Sequence, residues 1–119
     1  DGYPPYNVEE ALVGEGEAAR RVLRITLAVA GFASGELAVT LEDNQLVIRG
    51  RQREDEARTF LHRGIAARQF QRAFVLADGI EVLSARLDNG LLAIDLVRPE
   101  PTKLVRKIKI IDGAQTVSA

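Results

Sequence analysis

Cysteine is missing from this chain altogether, which excludes a disulfide scaffold, thiol catalysis and cysteine-ligated zinc. The absence fits a reducing compartment, and the cytoplasm is the expected location. Methionine is missing too, so the 119 residues do not include their own start codon and something is expected to have preceded them. Charge of one sign is scarce. Sixteen basic and 17 acidic residues leave a net −1, which gives no electrostatic reason to expect nucleic acid or an anionic membrane as partner. Aromatics make up 5% of the chain and are not interleaved with Lys or Arg, as a base-stacking surface would need. No apolar run approaches the ~20 residues of a membrane span. The opening, Asp1 to Tyr6, is polar and turn-rich and does not read as a signal peptide.

What is present is short-period alternation. The apolar content of 46% suits one domain with a modest core. Leu23, Ile25, Leu27 and Val29 alternate with smaller or polar residues up to Gly31. Leu37, Val39 and Leu41 alternate with Ala38, Thr40 and Glu42, a turn follows at Asp43-Asn44, and Leu46 and Ile48 share the next face. Phe70, Phe74 and Leu76 anchor another strand, and Leu83, Ala85 and Leu87 a further one. Asn89-Gly90 predicts a two-residue type I′ hairpin, because both positions tolerate positive φ. Leu92, Ile94 and Leu96 return from it. Seven or eight short strands without an amphipathic helix predict an all-β, antiparallel sandwich.

Two stretches depart from this pattern. Residues 51–63 carry Arg51, Arg53, Glu54, Asp55, Glu56 and Arg58 and read as a solvated loop, although Thr59 to Arg63 has the pattern of one short strand. After Arg98, Pro99 and Pro101 break ladder pairing, and Lys103, Arg106, Lys107 and Lys109 make the chain basic. Ile108-Lys109-Ile110 lies beyond this linker. An extended backbone puts both isoleucines on one side, and two β-branched residues in that position need a place to dock. They belong either to a last strand of the same domain or to a tail strand that adds to an apolar groove.

Chemistry is hard to assemble. His62 is the one histidine and sits in the charged loop, and no motif brings Ser34, Ser84 or Ser118 to it. Glu54, Asp55 and Glu56 have arginines beside them that compete with any metal. No phosphate-binding glycine motif occurs. No catalytic residue, metal ligand or cofactor is therefore expected.

The ordered set of motifs resembles a known family. Ala85-Arg86-Leu87-Asp88-Asn89-Gly90-Leu91-Leu92 is similar to the A-x-x-x-n-G-V-L signature of the α-crystallin domain, with Leu91 in place of valine. Ile108-Lys109-Ile110 resembles the family's C-terminal I-x-I/V motif. Tyr3 to Glu9, Val29-Ala30-Gly31-Phe32, Leu46 to Gly50 and Gly64 to Arg72 resemble the bacterial class A branch, the inclusion-body-binding proteins. The resemblance runs from Tyr3 to Ile110.

It implies an immunoglobulin-like crystallin sandwich over residues 1–98 and a C-terminal extension over 99–119. The loop at about 51–66 would then cross to a second copy and pair with its first strand, placing Tyr6, Val8, Ala11, Phe60 and Leu61 in a homodimer interface. Ile108 and Ile110 would dock in an edge groove mapped to Leu37, Val39 and Leu41 on one side and Leu83 and Ala85 on the other, building a higher oligomer. An N-terminal arm, absent from these residues, would add to assembly and client capture. The implied activity is that of an ATP-independent holdase for unfolded proteins. A co-chaperone-type sandwich that binds a folded chaperone is the alternative, and the long charged loop and the Ile-Lys-Ile tail speak against it.

Overall fold

The computed structural model describes residues 2–98 and 107–113. The proline-broken linker, with Pro99, Pro101, Lys103 and Arg106, and the stretch 114–119 lie outside the described residues. Seven strands form among the described residues: β1 (Tyr6–Val13), β2 (Arg20–Ala28), β3 (Leu37–Glu42), β4 (Gln45–Arg51), β5 (Gln69–Val75), β6 (Glu81–Asp88) and β7 (Leu91–Val97). A four-stranded sheet has the order β1-β2-β7-β6 and a three-stranded sheet the order β3-β4-β5, and every pairing is antiparallel.

The alternation sets which side chains meet. Residues directly opposite across a ladder share a face. The register aligns Ile25 with Ile94 and Leu27 with Leu92, and on the other sheet Ile48 with Val39 and Leu46 with Phe74. Ile25, Leu27, Val29, Leu46, Ile48, Phe70, Leu92, Ile94 and Leu96 are buried between the sheets, with Phe32 closing one end. Phe74 and Leu76 are only partly buried. Fully burying one such side chain is worth roughly 1.5–3 kcal/mol, so this layer dominates the stability.

Two glycines are required where they stand. Asn89 and Gly90 have φ of 51° and 77°, the left-handed pair of a type I′ turn. Gly50 faces inward on β4 opposite Phe70, and a Cβ there would come within 2.3 Å of the phenylalanine ring. The ring occupies the space that a side chain would take.

Thr59 to Arg63 does not form a strand in the single chain, and residues 52–68 are turns and irregular backbone. A strand requires an edge to pair with. Here the loop instead folds back on itself. Arg63 binds Glu54 at 2.8 Å, and the Arg58 and Arg63 guanidinium carbons lie 5.0 and 4.9 Å from the centre of the Phe60 ring. Its neck is fastened by Gln52, whose amide donates to the Gly31 carbonyl and accepts from the Arg68 N–H, while the two backbones pair at 3.0 Å.

Candidate interaction margins

An open sandwich has four strand edges, and those edges are where another chain can add. The Tyr6 and Phe74 rings meet edge-on with centroids 4.9 Å apart, which puts β1 over β5. The strand orders then leave β6 and β3 at the opposite margin.

At the β1/β5 margin, Tyr6, Val8 and Leu12 face inward by register yet are exposed, because among the described residues no strand pairs with the outer edge of β1. Ala11 is half-buried and lies on the other face, opposite Val22. The sequence pattern does not single out Arg72, though it shares the parity of Phe70 and Phe74. It aligns with the inward Ile48, and its guanidinium carbon stands 5.0 Å from the Tyr6 ring centre. Among the described residues its Nε is buried without a hydrogen-bond partner. From the loop, Phe60 is half-exposed between its two arginines, and Leu61 and Ile65 are almost fully exposed.

At the β3/β6 margin, Leu37 and Val39 pack partly against the core and Leu41 remains half-exposed. On β6 the simple alternation fails. Val82 aligns with Leu96 and Ser84 with Asp95, so Leu83 is the extra residue of a bulge. A bulge reverses the alternation on one side of itself. Leu83 accordingly lines a hollow on the outer face with Arg24, Ser84, Arg86 and Asp95, instead of joining the space between the sheets. Val82, Ala85 and Leu87, opposite inward Leu96, Ile94 and Leu92, are the β6 positions that face the space between the sheets. This corrects the expectation for Leu83. Ile108 and Ile110 are exposed in the single chain, and so is Ile111 beside them.

The outer face of the four-stranded sheet holds a second feature that periodicity does not reveal. Arg24 Nε donates to Asp95 Oδ1 at 2.7 Å and its Nη2 donates to Oδ2 at 3.0 Å, a bidentate pair. These bonds, and then the charge of Asp95, raise the guanidinium above its usual pKa. On the other sheet, hydrogen bonds from Arg49, then from the Thr40 hydroxyl, lower the Glu42 carboxyl to about 2. Glu36 accepts from the backbone N–H groups of Ala33 and Arg53, which lowers its carboxyl too and ties the loop root to the turn before β3. Among the described residues, no three His, Cys, Asp or Glu side chains converge as a metal site.

Known proteins share this plan. The Hsp20/alpha crystallin family model matches residues 17–111. The chain is 50% identical over 111 residues to the small heat shock protein IbpA of Serratia proteamaculans, and equally to IbpA of Escherichia coli K12, covering 92% of this chain and 76% of each relative. Among solved structures it is similar to the small heat shock protein of Synechococcus phage S-ShM2, at 35% identity and a TM-score of 0.58 over 92% of this chain and 99% of that one. A C-terminally truncated AgsA from Salmonella typhimurium gives 27% identity and a TM-score of 0.58, over 87% and 99% of the two chains. With the sandwich, the hairpin signature and relatives at half identity in agreement, the chain belongs to the Hsp20/α-crystallin family of small heat shock proteins.

Proposed function

We propose that this chain is an ATP-independent holdase of the cytoplasm, that it works without catalysis or cofactor, and that its two open margins are its working surfaces. The observation that carries this reading is the exposure of large apolar side chains along strand edges: Tyr6, Val8 and Leu12 at one margin, Leu41 and Val82 at the other. Natural sheets usually blunt such edges with charge, proline or a covering segment. Unfolding proteins expose apolar surface and unpaired strands. An open apolar edge meets both needs by strand addition, and hydrolysis of a nucleotide plays no part.

In this reading the β1 edge takes the 51–66 loop of a second copy, which makes a homodimer through Tyr6, Val8, Ala11, Phe60 and Leu61. The β3/β6 margin takes a tail, with Ile108 and Ile110 set against Leu37, Val39, Leu41, Val82 and Ala85. Burying two isoleucines is worth roughly 3–6 kcal/mol gross, and ordering the linker opposes much of it. Each contact is weak on its own. Repeated around an assembly, such contacts give an oligomer that holds together yet exchanges, freeing margins for clients.

The test is aggregation of a heated client without nucleotide. Suppression at near-stoichiometric ratio is expected. An Ile108→Gly, Ile110→Gly variant should form smaller assemblies by light scattering, and unchanged mass would exclude tail docking.

A further inference from the structure

Charge along this chain is sorted by element as well as balanced overall. β1 carries Glu9 and Glu10 and no Lys or Arg, whereas residues 57–68 carry Arg58, Arg63, Arg68 and His62 and no Asp or Glu. Both segments also expose large apolar side chains, Tyr6, Val8 and Leu12 on the first and Phe60, Leu61 and Ile65 on the second. We infer that β1 and the basic half of the loop form a charge code by which this chain selects a second copy of itself as its exchange partner. This rests on the strand-exchange reading above and adds what makes the exchange selective.

The contacts seen in the single chain are of a kind that gives way. The Glu10–Arg21 pair spans 3.3 Å with side chains 69% and 72% exposed, and such a pair contributes little. Glu9 sits opposite Arg24, but that guanidinium is already engaged by both Asp95 oxygens. The β1 carboxylates are therefore open to a further cation. On the loop, Arg63 spends its charge on exposed Glu54, and both arginines flank Phe60. Crossing to a partner exchanges one exposed ion pair for another at little net cost, while Phe60 and Leu61 gain burial. A partner whose first strand lacks the acids would bury the same apolar area and forfeit the pairing. Like charges meeting there would repel.

The test uses two surface variants in an Ile108→Gly, Ile110→Gly background, with far-UV circular dichroism confirming the fold of each. Glu9→Lys with Glu10→Lys makes both segments basic, and Arg58→Glu with Arg63→Glu makes both acidic. Each alone should dimerise about 100-fold more weakly at low salt, two altered pairs counting at each of two symmetric contacts. Mixed together, the two should form mixed dimers by native mass measurement, since every β1–loop contact again joins opposite signs, and 0.5 M salt should erase the preference. Unchanged homodimers of both variants, or no mixed species on mixing, would overturn the charge code. A third variant separates the two ideas: if removing residues 55–66 leaves the dimer intact, strand exchange itself falls.

Discussion

Removing Arg24 should destabilise the sandwich more than removing Asp95, although the two share the same hydrogen bonds. The asymmetry follows from what each truncation leaves behind. The Asp95 side chain is 11% exposed and that of Arg24 is 30% exposed. Arg24→Ala strands a nearly buried carboxylate on the outer sheet face. Losing one partner of a fully buried pair costs roughly 3–5 kcal/mol. The partial exposure of the arginine admits water and brings the expectation down to about 2–3 kcal/mol. Asp95→Ala leaves a guanidinium that reaches water and the Glu9 carboxylate on the neighbouring strand, at a cost of about 1 kcal/mol. The double variant loses packing of the arginine stem and little else, about 1.5 kcal/mol. The coupling energy is then on the order of 2 kcal/mol, measured by urea unfolding of all four proteins at pH 7 and one protein concentration. At about 4 °C per kcal/mol, the melting temperature should fall by about 10 °C for Arg24→Ala and about 4 °C for Asp95→Ala. Equal losses, or an additive double variant, would refute the argument, since either would mean that the carboxylate is solvated in the folded state.

The bulge on β6 makes neighbouring positions inequivalent. With the tail docked as proposed, Val82→Asp should reduce assembly mass by light scattering, while Leu83→Asp, whose side chain lines the outer hollow, should leave it unchanged; the reverse order would restore Leu83 to the groove. Glu42 has its folded pKa lowered from 4.5 to about 2, chiefly by Arg49. Its contribution is present above pH 4.5 and is lost as pH falls toward 2. A carboxyl carbon titration by NMR should place its midpoint near that value, and Arg49→Ala should return it to the ordinary carboxylate range.

Much of the fold is legible in the sequence because its signals are local. The period-2 runs put Leu46 with Ile48 and Leu92 with Ile94 and Leu96, all of which are buried. Asn89-Gly90 declares its turn through backbone sterics alone. What escaped is what depends on register between distant strands. Arg24 and Asp95 each look like ordinary outward positions, and only the alignment of β2 with β7 makes them a pair. The Leu83 bulge leaves no mark, because Val82-Leu83-Ser84 fits an unbroken strand equally well and a single inserted residue moves a side chain to the other face. Thr59 to Arg63 has a strand's composition, yet in the single chain its loop folds back on Glu54 and Phe60 and does not lie along any of the four open edges.

The Gln52 clasp bears on how such a protein can change over time. One side chain and one backbone pair close the neck between β4 and β5, so the stretch from 53 to 67 is a ring hung from a finished sandwich. Insertions, shortening or even a proteolytic nick within that ring leave the strand ladders untouched, because the ladders end at the clasp. If this ring is the exchanging segment proposed above, mutation can rewrite it as a cassette while the part that must fold stays constant, which lets duplicated copies diverge in whom they join without first becoming unstable.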